Sequence, residues 1–157
     1  MIYIFDTNSL SIALKHYYPD RFPSFWDKFS EATAEDNIAS VRECRYELLE
    51  VFDKKEIKIL EKYNGGFFHK PTREELAFIT QIYSTPHFQQ NLERKKMLQG
   101  GHFADPFIIA KANVVGGIVV TEEKIKENAA KIPNICKHFG IECVNLEGFL
   151  LKEDWKF

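Results

Sequence analysis

Carboxylates placed directly after apolar runs are the residues of this chain best suited to chemistry. Ile2-Tyr3-Ile4-Phe5 runs into Asp6-Thr7-Asn8, and Gly117-Ile118-Val119-Val120 runs into Thr121-Glu122-Glu123. Each run reads as a buried strand that ends in a hydroxyl and acid. Asp105-Pro106 opens a third apolar stretch, Phe107 to Ala112, with the N-cap and first-turn signature of a buried helix. Glu47 lies beside the apolar stripe Val41, Cys44, Leu48 and Val51, where it either points towards the sheet edge or is solvated. Asp6, Glu47, Asp105 and Glu123 gathered at one edge would repel at neutral pH unless positive charge sat among them. Hard divalent cations meet that need, and magnesium or manganese suits the set better than zinc because it holds no His or Cys. Such ions activate water and stabilise the charge that develops in phosphodiester hydrolysis.

The elements that must bring these acids together follow from pattern and punctuation. After the first strand, Ser9 to Tyr18 reads as a helix capped by Asn8 or Ser9, and Ser24 to Thr33 as a second one opened by a capping box with Asp27. Asn37 to Ser40 is a short strand, and Ser40-Val41-Arg42-Glu43 predicts a capped helix from Val41 to Phe52. A helix over Lys54 to Tyr63 stops at Asn64-Gly65-Gly66, and Phe67-Phe68-His69 is too short to assign. Thr72 and Glu75 form a further capping box, before a helix that buries Leu76, Ile79 and Tyr83, and Phe88 to Leu98 is amphipathic. Past Glu123 the pattern predicts a helix interrupted by Pro133, then a strand over Glu142 to Val144 and a terminal helix around Glu147 to Leu151. Strands alternating with helices predict an α/β fold, a central parallel sheet covered on both faces. In such sheets ligands collect where strands end and helices begin.

Composition narrows the setting. The 157 residues, 45% hydrophobic with fourteen Phe, suit one domain over 1–157 with one sizeable core. Lys and Arg number 21 against 23 Asp and Glu, a formal charge of −2, so no bulk positive field announces nucleic acid. Arg94-Lys95-Lys96 reads first as a solvated face and second as a phosphate-contacting patch; His102 reads as a loop histidine before a phosphate contact. Cys44, Cys136 and Cys143, an odd set without CxxC spacing, suit reduced thiols. With no spanning apolar run and no signal-like amino terminus, the expectation is a soluble, cytoplasmic protein without a membrane.

In order along the chain, Ile4-Phe5-Asp6-Thr7-Asn8, Glu47-Leu48 seven residues after Ser40, Ala104-Asp105 opening an apolar helix, and Val120-Thr121-Glu122-Glu123 resemble the four signature blocks of the PIN (PilT N-terminus) domain. The resemblance implies a three-layer α/β/α fold and a magnesium- or manganese-dependent endoribonuclease. Many stand-alone members are VapC-like toxins, often dimeric and neutralised by a co-encoded antitoxin. It further implies Asp6, Glu47, Asp105 and Glu123 as metal ligands and catalytic residues, with Thr7, Asn8, Thr121 and Glu122 in support. RNA would be held by Lys124, Lys126, Arg94, Lys95 or Lys96. Glu123 stands where the family more often has Asp, and its neighbour Glu122 leaves open which of the two points inward. A catalytically weak or inactive PIN-like protein-binding module is the alternative. Receiver-like and haloacid-dehalogenase-like sites fit less well, because Asp6 has no acidic neighbour and position 8 is Asn.

Overall fold

Alternation along the first strand decides how the two halves of the core are divided. We describe residues 1–62, 66–97 and 103–157 of a computed structural model, and for 94–97 the backbone alone. In β1 (Tyr3–Phe5), Tyr3 and Phe5 enter one apolar cluster while Ile4 enters the other, as the two-residue strand period requires. Beside it lie β2 (Ile38–Val41), β3 (Phe68–His69), β4 (Ile118–Val120) and β5 (Cys143–Val144). Their order is β3-β2-β1-β4-β5 and every pairing is parallel. Phe67-Phe68-His69, unassigned from sequence, thus supplies the strand beyond β2.

Helices cover both faces. On the Tyr3 side pack α1 (Thr7–His16), α2 (Pro23–Ala34), α4 (Lys54–Ile57) and α9 (Leu146–Lys152), through Leu10, Phe25, Phe29, Ile57 and Phe149. Tyr3 and Phe5 meet the Phe149 ring edge-on at 4.8 and 5.0 Å. On the Ile4 side pack α5 (Arg73–Tyr83), α7 (Asp105–Val115) and α8 (Ile132–His138), through Phe78, Ile82, Ile108, Ile109 and Ile135. Each fully buried aromatic or branched side chain contributes roughly 1.5–3 kcal/mol over its exposed state. The connection α3 (Arg42–Leu48) touches both clusters, Cys44 on one and Leu48 on the other, and α6 (Gln89–Met97) precedes α7. This is the α/β/α arrangement that the strand and helix order predicts. Among the described residues no helix is long and apolar enough to cross a membrane.

Several local expectations give way to tertiary packing. Asp6, not Asn8 or Ser9, caps α1, its carboxylate accepting from the Thr7 amide at 2.7 Å. Neither Ser24 nor Ser40 caps a helix. Pro23 starts α2 at its first position, and the Ser40 hydroxyl donates to the Phe5 carbonyl at 2.6 Å, tying β2 to β1. With α3 ending at Leu48, Val51 is 69% exposed rather than part of an apolar stripe. The Thr72–Glu75 capping box is present, but α5 turns Phe78 and Ile82 inward and leaves Leu76 about half exposed. The helix over 54–63 is one α-turn, Lys54–Ile57, followed by a 3-10 turn at Lys58–Glu61; its stop at Asn64-Gly65 lies outside the described residues. Pro133 does not interrupt a helix either. Residues 121–131 form a loop, and Pro133 sits in the first turn of α8, where its missing N–H costs nothing.

One turn sets the register of the two strands that carry acid. Gly116 ends α7 in the left-handed conformation at φ 66°, and a Cβ on Gly117 would come 2.9 Å from the Ile2 carbonyl oxygen. Without that side chain, β4 runs tightly beside β1, with Tyr3 opposite Ile118 and Phe5 opposite Val120.

Candidate active site

The sheet reverses its winding between β1 and β4: from β1 the chain proceeds to β2 on one side and later to β4 on the other. A crevice opens at the carboxyl ends of two strands whose connections leave in opposite directions. Asp6 follows β1 and Thr121 follows β4, so the two polar clusters flank that point. The Asp6 amide donates to the Val120 carbonyl at 2.8 Å, and the Thr121 hydroxyl donates to the Asp6 carboxylate at 2.9 Å.

Asp6 is only 4% exposed. Burial pushes its carboxyl well above the ordinary range, and the charges of Asp105 and then Glu123 push in the same direction; hydrogen bonds from Thr121 and Thr7 only partly offset this. Two of the acids singled out from sequence, Asp105 and Glu123, therefore act electrostatically on a third, Asp6. Glu47 reaches the same edge by two hydrogen bonds. The Thr7 hydroxyl donates to one of its oxygens and the Ala104 amide, just before α7, to the other at 3.2 Å. The open question about its direction is answered: it joins the end of β1 to the start of α7.

Asp105 is the first residue of α7 rather than its cap, which is Ala104. Its carboxylate accepts from the side-chain amide of Asn91 at 3.0 Å, and the same amide donates to the Ala130 carbonyl at 3.2 Å. The Asn91 side-chain oxygen accepts from the Tyr83 hydroxyl at 2.8 Å. Sequence reasoning missed Asn91. It stands in a polar run, Gln89-Gln90-Asn91, and the only hint of its burial is its position three residues after the apolar Phe88. Tyr83, expected as a plain apolar residue, is the second missed partner; burial and the Asp105 charge both raise its phenol.

Glu122 and Glu123 divide their tasks. The Glu122 carboxylate accepts from the Leu146 amide at 2.8 Å and from the Ser9 hydroxyl at 3.3 Å, clamping the start of α9 to α1. Glu123 accepts from the Ile132 amide at 3.0 Å at the start of α8, and its charge is the one felt by Asp6. Asn8 accepts from the Glu122 amide at 3.0 Å and so fixes the turn that separates the two acids.

The expectation that no Cys lies among the acids does not hold. Potential ligand atoms of Asp6, Cys44 and Glu47 all lie within 4.8 Å of one another. The Cys44 thiol, however, is turned to the Phe5 carbonyl at 3.8 Å, and burial followed by the Asp6 charge pushes its pKa well up. That raised pKa favours the neutral thiol in the ion-free site, whereas thiophilic ions bind thiolate. Asp6 and Glu47 present carboxylate oxygens beside it, donors of the kind a hard divalent ion takes.

The basic candidates are less concentrated. Lys124 and Lys126 are exposed on the loop after Glu123, and Lys124 lines a cleft with Thr121, Glu122 and Glu123. Lys137 of α8, not singled out from sequence, lines the same cleft. The side chains of Arg94, Lys95 and Lys96, and His102 altogether, lie outside the described residues.

Comparison with known families decides the chain's place: residues 3–157 match the family described as a domain of unknown function, DUF4411. The chain belongs to DUF4411. No curated protein matches it. Among solved structures, this DUF4411 chain is similar to a chain of VapBC2 from Rickettsia felis, determined bound to a DNA fragment from their promoter. The two share 17% identity, with 92% of this chain and 98% of the other aligned at a TM-score of 0.51. That likeness is one of fold alone.

Proposed function

We propose that this DUF4411 chain is a magnesium- or manganese-dependent endoribonuclease, the toxin of a toxin–antitoxin pair. The observation that carries the reading is the convergence at the sheet's switch point. Buried Asp6 is raised by Asp105 and Glu123, and Glu47 is fastened beside it through Thr7 and the Ala104 amide. Asp6, Glu47, Asp105 and Glu123 would hold the ion. When bound, it supplies charge neutralisation at a scissile phosphate and acidification of water. Thr121 and Thr7 orient the Asp6 and Glu47 carboxylates, and Asn91 orients that of Asp105. Lys124 and Lys137, which line the cleft, offer contacts to the RNA backbone, with Lys126, Arg94, Lys95 and Lys96 as further candidates. The similarity to a VapBC2 chain favours an antitoxin as partner; that it is co-encoded, and that the chain forms a homodimer, follow only from the family resemblance of the sequence.

The test is cleavage of single-stranded and structured RNA by purified protein with manganese, magnesium or EDTA, beside Asp6→Asn and Asp105→Asn variants shown to be folded. Cutting that needs metal and disappears in both variants is the expected result. Equal cutting by wild type and variants would trace the activity to a contaminant. Absence of both cutting and manganese-dependent stabilisation would favour the binding-module reading.

A further inference from the structure

The turn after α8 brings two of the three cysteines together. Gly140 takes φ 70°, the Ile141 amide donates to the Cys136 carbonyl at 2.8 Å, and the Gly140 amide donates to that of Lys137 at 3.3 Å. This is the paired closure of a helix end that a left-handed glycine permits, and it sends the chain straight back into β5. There Cys143 lies opposite Val119 of β4. By the two-residue strand period Val144 packs on the Tyr3-side cluster and Cys143 on the Ile4-side one, the face that α8 covers. Cys136 of α8 is fully buried in that same cluster.

The two thiols are hydrogen-bonded to each other, Cys136 donating to the Cys143 sulfur. That bond, with burial, pushes the Cys136 thiol well up, and it holds Cys143 below the ordinary thiol range against burial and the charges of Glu123 and Glu142. Access divides them in the same sense. Cys143 is partly buried and lines the cleft of about 390 Å³ beside Glu123, Lys124 and Lys137, whereas Cys136 is closed to solvent. A small solute in the cleft therefore meets one sulfur, and the second waits directly behind it. Cys44 has a different partner, the Phe5 carbonyl.

We propose that Cys143 is an oxidation site for small hydroperoxides and that Cys136 resolves it as an intramolecular disulfide. The Cys143 thiolate attacks the terminal oxygen of the hydroperoxide, and the O–O bond breaks. The alkoxide or hydroxide leaves and takes a proton from solvent, and Cys143 becomes a sulfenic acid. The Cys136 sulfur then attacks the Cys143 sulfur. Its proton departs with the sulfenic hydroxyl as water, and the S–S bond forms. In sum two thiols give up two hydrogens, and one hydroperoxide is reduced to an alcohol, or water, and water. The bridge ties β5 to α8, the helix whose Ile132 amide holds Glu123. The reaction needs neither metal nor RNA, so it stands apart from the nuclease reading.

The test is treatment of the folded full chain with hydrogen peroxide in EDTA, with free thiols counted and the product mapped by peptide mass. The thiol count should fall from three to one, the intact mass by two hydrogens, and dithiothreitol should restore both. Folded Cys143→Ser should keep its two remaining thiols over the same time. Folded Cys136→Ser should lose one thiol and stop at a sulfenic acid that dimedone captures. Three thiols retained by the wild type, a bridge to Cys44 or between two chains, or equal thiol loss in the wild type and Cys143→Ser would each overturn the proposal.

Discussion

Asp6 carries the clearest thermodynamic signature in the molecule. Burial and Asp105 raise its carboxyl in the fold, so the native state holds that proton to higher pH than the unfolded chain does. Its contribution to stability is whole below the ordinary aspartate value of about 3.9 and is lost as pH climbs through the raised native value. In EDTA, the urea midpoint of the wild type should therefore fall from mildly acidic to neutral pH more steeply than that of Asp6→Asn; parallel profiles would contradict the account. Manganese should flatten the wild-type fall by neutralising the same charge. Cys44 makes the contrasting case. Because its thiol faces the Phe5 carbonyl and remains protonated, Cys44→Ala should cost about 1 kcal/mol in a small cavity and leave the manganese-induced rise in Tm intact. Loss of that rise would make the sulfur a ligand.

At the scale of elements, the acids are held by helix starts. Glu122 serves α9, Glu123 serves α8, and Asp105 opens α7 against Asn91 of α6. Glu122→Ala should cost about 1 kcal/mol, as the loss of a cap does, while preserving the manganese response; Glu123→Gln should weaken that response. Denaturation with and without metal separates the two, and the reverse pattern would exchange their roles. Asn91 joins Tyr83, Asp105 and the Ala130 carbonyl, so Asn91→Ala strands several buried polar groups at once. A loss of about 2–4 kcal/mol is expected, and a cost below about 0.5 kcal/mol would show the network to be dispensable.

Taken whole, the molecule gathers its acids at one edge of one sheet, at the strand ends after β1 and β4.

Local chemistry determined much of this protein from the chain alone. Unbroken apolar runs such as Ile2 to Phe5 and Ile118 to Val120 can only be satisfied between two layers, so strand, layer order and the placement of Asp6 and Thr121 at strand ends were legible. Asp105 was legible too, since a Pro at the next position marks the helix start. What followed from long-range contact was not. Ser40 has the spacing of a capping box, but the Phe5 carbonyl of a neighbouring strand takes its hydroxyl. Glu122 and Glu123 are the same residue type side by side, and only the arrival of α9 and α8 separates them. Asn91 has no local reason to be buried until α7 brings Asp105 against it. Period and punctuation act between near neighbours along the chain, whereas a side-chain oxygen bonds to whichever donor the packed layers bring within 3 Å, and that choice belongs to the tertiary structure.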